Sequence, residues 1–429
     1  MLSIYIMLII LITLAMVLIY SCTHTHILPL DKTYDSNQFL WYFPLEWNSK
    51  DEKVMLWLQG GPGSSSLYGL FCENGPIEVK NNTFNKRETN WAKFWHVIYI
   101  DNPVGTGFSF TNDTRGYCTN QTQIGEHLYT TLIQFYQLFP ELQKLPLYVS
   151  GESYACKYLM ALGNTIHKKN PTAKININLK GLTIGNGWCD PINQLDYSDY
   201  LNQIGLFDWN QKRKFEEHQN KTIELINKER WEEAFISHSS FVAHISGSIG
   251  LVLPENYVDL YGVECTHSDS LENASIRRAI HVGNLTQTTN ENVTDSLKED
   301  LMQSVAPWIT ELLDHYRMLF YSGQLSIVVP YPLTTNFLKK LNFSGHEKYL
   351  KAERGTLYLI KPYVAIMAFL KEAENLTEAL IRVAGNMVTA DQPLWSDLII
   401  AGFVEEYFDD WMTGELDDII TNTYALNIE

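Results

Sequence analysis

A short apolar run, Leu147-Tyr148-Val149-Ser150, leads directly into Gly151-Glu152-Ser153-Tyr154-Ala155, and the following residues to Lys169 have helical spacing. A strand that reverses into a helix within five residues needs a strained turn, and a strained turn tolerates only small residues around its apex. Gly151 and Ala155 supply them on either side of Ser153. The rest of the chain is consistent with this unit. Val54–Leu58, Val97–Ile100, a run ending near Ile184, Met318–Tyr321, Leu357–Ile360 and Leu380–Val383 read as strands, and Gln123–Leu138 as a helix. Strands alternating with helices predict an α/β protein with a mostly parallel sheet covered by helices on both faces.

The turn also carries chemistry. Strand, Gly-x-Ser-x-small and helix in succession form the nucleophile elbow of an α/β-hydrolase fold, with Ser153 as nucleophile. The helix start behind the serine offers backbone N–H groups and a positive dipole end to an oxyanion. The strand Val54–Leu58 ends at Gly60-Gly61-Pro62-Gly63, more turn residues than a simple connection needs. Such folds place there the loop that donates the second oxyanion N–H.

Between residues 191 and 267 the alternation lapses, and Gln211–Phe235 is charged and helical. This predicts a helical cap inserted into a core made of residues 22–190 and 268–429. The uncharged stretch Ile4–Tyr20 makes residues 1–21 either a cleaved secretory signal or an uncleaved anchor. Nine Asn-x-Ser/Thr sequons, at Asn81, Asn112, Asn120, Asn220, Asn273, Asn284, Asn292, Asn342 and Asn375, favour the secretory route and an extracellular or lysosomal destination. The formal net charge of −17 argues against a nucleic-acid partner. Without a Cys-x-x-Cys pair there is no footing for a metal or redox centre, and no cofactor is expected. Apart from Cys22 five cysteines remain, an odd number, and Cys189 with Cys265 is the pairing we expect around the cap.

Longer blocks define a resemblance. Trp57-Leu58-Gln59-Gly60-Gly61-Pro62-Gly63-Ser64-Ser65-Ser66 through Glu73-Asn74-Gly75-Pro76, Asp101-Asn102-Pro103-Val104-Gly105-Thr106-Gly107-Phe108-Ser109-Phe110 and Gly151-Glu152-Ser153-Tyr154-Ala155 are similar to the blocks of the serine carboxypeptidase family. Within it, Gln59, Gly323-Gln324-Leu325 and Ile204-Gly205-Leu206 resemble the vitellogenic-like carboxypeptidases. The resemblance implies an exopeptidase that acts at peptide or protein C-termini. It makes Ser153 the nucleophile and gives the oxyanion amides to Gly61 and Tyr154. It gives the substrate's terminal carboxylate to Gln59, Gly60, Glu73 and Glu152. Two acids facing a carboxylate require shared protons, so binding is expected to favour acidic pH.

The resemblance breaks at two positions. The family's catalytic acid follows Gly-Gln-Leu, where this chain has Ser326, and its base stands at Asn386, with Thr389 replacing a nearby proline. Beyond Ser326 the single histidine is His346, which we place in a surface loop; His281 reads as structural and His315 as an ordinary helix residue. Asp391 and the tail acids Glu405, Glu406, Asp409 and Asp410 read as solvated. A serine hydroxyl without a base is a poor nucleophile. The expectation is a pseudoenzyme that keeps its nucleophile and binding loop; the alternative is an active carboxypeptidase with a rearranged or weak site.

Overall fold

The computed structural model describes residues 23–47, 50–80, 83–249, 255–259, 265, 271–288, 291–359 and 365–408. The signal or anchor segment, Asn81, Asp409 and Asp410 lie outside them. Among the described residues no helix is long and apolar enough to cross a membrane.

The strands are β1 (His24–Asp31), β2 (Ser36–Phe43), β3 (Val54–Leu58), β4 (Ile77–Lys80), β5 (Thr83–Lys86), β6 (His96–Ile100), β7 (Leu147–Glu152), β8 (Leu179–Gly185), β9 (Arg317–Gly323), β10 (Gly355–Leu359), β11 (Ala365–Ala373) and β12 (Leu376–Ile381). Ten of them form one sheet in the order β1-β2-β6-β3-β7-β8-β9-β12-β11-β10, while β4 and β5 form a separate ribbon. The central six strands run parallel, and both flanks are antiparallel. This is the mostly parallel sheet that the alternation predicted, in the α/β-hydrolase architecture expected from the turn at Ser153.

Side-chain alternation divides the core. On β3, Leu56 points to one face and Met55 and Trp57 to the other. The first face is covered by the helices Gln121–Leu138, Ala155–Lys169 and Ala306–Leu313. Leu398, Ile399 and Phe403 of the Pro393–Glu405 helix cover the second face. Both faces are apolar because a parallel sheet is buried on both sides.

Between β8 and β9 come the helices Tyr197–Gln203, Trp209–Asn227 and Trp231–Ile249. The second is fixed at its start by a capping box, in which Asp208 accepts from the Gln211 amide and Gln211 Oε1 accepts from the Asp208 amide. These helices form a small core of their own around Leu201, Phe207 and Phe215, continued by Ile327 and Leu333.

Three expectations need correction. The last parallel strand is Leu376–Ile381, and Val383 lies beyond it at φ 58°. Its polar members hid it, because Glu378 is buried where Tyr331 and Tyr349 donate their hydroxyls to it. The bridges are Cys72–Cys265 and Cys156–Cys189, so the Cys189–Cys265 pairing is overturned. Parallel pairing of β7 with β8 brings the segments after them together, which chain spacing does not reveal. His346 opens a short helix, His346–Lys351, and is not in a loop.

Of the eight sequon asparagines described, Asn112, Asn220, Asn273, Asn284, Asn292 and Asn342 are exposed, and Asn120 and Asn375 are half-buried. Asn375 donates to the Leu313 carbonyl.

Candidate active site

The parallel strands β3, β7, β8, β9 and β12 end on one side of the sheet, where open α/β sheets place their ligands. The residues just beyond them form the site. At the end of β7, Ser153 has a positive φ of 58°, the strain expected of an elbow. The turn is held by Ser153 N–H donating to Gly185 O at 2.8 Å and by Ser153 O accepting from Trp188 N at 2.9 Å. A Cβ on Gly151 would lie 2.4 Å from Leu58 O and 2.9 Å from Ala155 Cβ, which is why only small residues fit here. The Cys156–Cys189 bridge ties the helix after the elbow to the segment after β8.

The loop after β3 packs onto this turn. A Cβ on Gly60 would meet Glu152 O at 2.7 Å and Tyr154 N at 2.9 Å, so glycine permits a backbone-to-backbone approach. Gly61 follows with φ 113°. Tyr154 stands at the start of the Ala155–Lys169 helix, where the first amides have no partner within the helix. Asp101, read only as part of a block, buttresses the loop from below. It accepts from Ser65 Oγ at 2.6 Å, Ser66 N at 3.0 Å and Phe108 N at 2.8 Å.

Behind the elbow lies a buried acid pair. Trp57 Nε1 donates to Gln59 Oε1 at 3.0 Å, and Gln59 Nε2 donates to Glu152 Oε1 at 2.6 Å. Thr389 Oγ1 donates to Glu73 Oε2 at 2.6 Å. Burial pushes the Glu73 carboxyl up to about 7 despite that bond. Burial, followed by the charge of Glu73, holds Glu152 well above the usual carboxylate range. The pair therefore keeps protons at acidic pH.

The structure brings Ser326 and Asn386 together on the far side. Ser326 Oγ donates to Asn386 Oδ1 at 3.4 Å. Asn186 clamps both strands' ends: its Nδ2 donates to Asn386 O at 2.7 Å, and Gly323 N donates to its Oδ1 at 3.2 Å. A Cβ on Gly323 would lie 1.9 Å from Gly385 O, so the two turns touch.

These pieces enclose a cavity of about 570 Å³, lined among others by Gln59, Gly61, Glu152, Ser153, Glu255 and Asn386. Among the described residues no histidine lines it. His281 is engaged elsewhere with Thr25, through its Nδ1 at 3.0 Å, and His315 follows its helix and stacks on His167.

Two residues escaped the sequence reading. Glu255, in the segment assigned to the cap, lines the cavity. Asp391, read as solvated, accepts from Gly385 N at 2.6 Å and Asn256 Nδ2 at 2.8 Å. Glu405 likewise pairs with Lys53, whereas Glu406, beside Arg317, is exposed as expected. An isolated acid in a polar run gives no signal for such contacts.

Residues 23–406 match the family profile described as "Serine carboxypeptidase". The chain belongs to the serine carboxypeptidase family. A venom serine carboxypeptidase of Apis mellifera is 47% identical over 390 residues, which cover 87% of this chain and 82% of that one. A protein of Homo sapiens described as "Probable serine carboxypeptidase CPVL" is 39% identical, covering 88% of this chain and 82% of its own. The crystal structure of a prohormone-processing carboxypeptidase from Saccharomyces cerevisiae superimposes with a TM-score of 0.79 at 21% identity, over 90% of this chain and 91% of that one. That likeness establishes the shared serine carboxypeptidase fold.

Proposed function

We propose that this chain is a secreted, glycosylated serine carboxypeptidase homologue that holds peptide C-termini and cleaves them little or not at all. The observation that carries the reading is Asn386. It lines the cavity with Ser153 and is paired to Ser326, so an amide and a hydroxyl occupy the places that the family resemblance gives to base and acid. Neither group takes up and returns a proton near neutral pH. Loss of one triad member lowers turnover by about 10⁴, leaving a residual of roughly 10³–10⁴ over water from binding and oxyanion donors.

Binding is supported by what persists. Gln59, Gly60, Glu73 and Glu152 are ordered around the elbow by the bonds described above. In their protonated forms Glu73 and Glu152 donate hydrogen bonds to a carboxylate, and this capacity falls as pH rises through the raised value of Glu73, about 7. The Gly61 and Tyr154 amides are assigned to the substrate carbonyl oxygen. Secretion is supported by the two disulfides and by six exposed sequons.

The test is hydrolysis of a blocked dipeptide from acidic to neutral pH by the natural protein and by the double variant Ser326→Asp/Asn386→His. We expect the double variant to be faster by a factor of about 10² or more. Activities within about tenfold of each other would overturn the loss of catalysis. Titration of the dipeptide against its C-terminal amide tests the binding half, and equal affinities would remove the carboxylate role of Glu73 and Glu152.

A further inference from the structure

We propose that Asn120 carries an N-linked glycan whose first N-acetylglucosamine is seated in a cavity that Asn120 itself lines, joining the start of the Gln121–Leu138 helix to the segment 300–308. This rests on the secretory reading above and gives one of its sequons a structural role.

The cavity has a volume of about 240 Å³ and shares no lining residue with the one at the elbow. Asn120, Gln121 and Thr122 line it from one segment, and Gln303, Ser304 and Trp308 from another. Such a space is below the range of drug-sized ligand sites and suits one sugar ring rather than a peptide. Asn120-Gln121-Thr122 is a sequon. Asn120 is also the N-cap of the helix, but the cap uses only its oxygen, with Oδ1 accepting from Gln123 N at 3.0 Å. Nδ2 reaches Thr119 Oγ1 in a long bond of 3.4 Å at the exposed end of the helix. Glycosylation therefore leaves the cap in place. In the secretory route Nδ2 bonds to C1 of a lipid-diphosphate-linked oligosaccharide. The C1–O bond breaks, the diphosphate leaves with its electron pair, and Nδ2 gives up one proton and keeps the other.

The wall suits a neutral ligand that brings hydrogen-bond donors. Gln121 is 4% exposed, and its Nε2 donates to Asp300 Oδ2 at 2.6 Å and to Tyr154 Oη at 3.1 Å. Its Oε1 has no hydrogen-bond partner among the described residues. A buried acceptor without a donor is costly, and the hydroxyls and the acetamido N–H of the sugar are donors. Trp308, half-buried, adds an aromatic surface on which a pyranose packs its C–H face. Lys157 also lines the cavity, but its Nζ already donates to the carbonyls of Asp300, Leu301 and Gln303, so the site does not call for an anion. Asp300 accepts in addition from Gln121 N at 3.2 Å and from Tyr154 Oη at 2.8 Å. A sugar held between Gln121 and Trp308 thus braces the segment that fixes the Tyr154 side chain.

The test takes the full chain expressed through a secretory pathway, with site-resolved mass spectrometry of its glycopeptides. Asn120 is expected to carry carbohydrate. Peptide N-glycosidase, which cuts the Nδ2–C1 bond, is expected to release it from the folded protein about tenfold or more slowly than from the exposed Asn220, and at the same rate after denaturation. Trp308→Ala is expected to bring the two native rates to within about twofold. Thr122→Ala removes the sequon and leaves the cap. It is expected to speed hydrogen exchange of the Leu301, Gln303 and Val305 amides, all hydrogen-bonded, by about tenfold, while Thr122→Ser, which keeps the sequon, exchanges as the natural protein does. A bare Asn120 beside an occupied Asn112 or Asn220 overturns the inference alone, and bare asparagines at every sequon overturn the secretory reading with it. Native release at Asn120 as fast as at Asn220, or slow release that persists in Trp308→Ala, overturns the seat even where the glycan is present. Should Trp308→Ala fail to fold, unchanged exchange in Thr122→Ala overturns it as well.

Discussion

The buried acid pair makes the stability of this protein depend on pH in a way that one substitution separates. Glu73 is 1% exposed, and burial raises its carboxyl from the ordinary value of 4.5 to about 7. Between those values the native chain holds a proton that the unfolded chain has shed. A raised acid therefore contributes its stability below pH 4.5 and loses it as pH rises to about 7. At roughly 1.36 kcal/mol per pH unit, the loss attributable to Glu73 over this window is about 3 kcal/mol. Glu73→Gln keeps the shape and the capacity to bond Thr389 but removes the titration. Urea unfolding at the two ends of the window measures the effect. The natural protein is expected to lose about 3 kcal/mol more than Glu73→Gln on going from the acidic to the neutral end. Asp397 at about 7 and Asp101 at about 6 act in both proteins and cancel in the comparison, whereas Glu152 is held up in part by the charge of Glu73, so the difference between the two proteins reports the pair and not Glu73 alone. Equal losses in the two proteins would show that the Glu73–Glu152 pair does not hold a shared proton and that this account of the site is wrong.

Two further substitutions probe the scaffold. Lys157, in the first turn of the elbow helix, is fully buried, with Nζ donating to the carbonyls of Asp300 at 2.6 Å, Leu301 at 2.9 Å and Gln303 at 2.7 Å. Lys157→Met leaves those oxygens without a donor and is expected to cost about 3–5 kcal/mol in urea unfolding, so a cost below about 1 kcal/mol would contradict its structural role. Gly60→Ala forces a methyl against Glu152 O at 2.7 Å. It is expected to cost about 1–3 kcal/mol and to weaken dipeptide binding, and an unchanged variant would show that the loop does not pack on the elbow as described.

The local features of this fold were legible from the chain. Val54–Leu58 and Leu147–Ser150 are apolar runs closed by glycine, and strand, small-residue turn and helix around Ser153 are one continuous piece of backbone. The strand β12 was legible only in part, because Glu378 reads as a surface residue until Tyr331 and Tyr349 close over it. The antiparallel flanks β1, β2 and β11 were missed. They join the sheet by pairing with strands already in place, and β1 begins in the polar run Thr23-His24-Thr25-His26.

Ser326 and Asn386 were singled out from the order of residues alone, as the positions where the resemblance expects an acid and a base, since such a comparison within a recognisable block needs no coordinates. Their environment was not. Thr389, where the resemblance expects a proline, donates to Glu73 from 316 residues away in the chain. Asp391 reaches Asn256 across 135 residues, and Glu255 arrives beside Asn386 by the same closure. Local sequence fixes turns and helices because their hydrogen bonds are made within a few residues. It does not specify which distant carboxylates share a cavity, because that follows from strand order and from the way the segment 255–257 docks on the turns after β9 and β12. The elbow was thus determined by the sequence, whereas the charge that faces it was decided by tertiary packing.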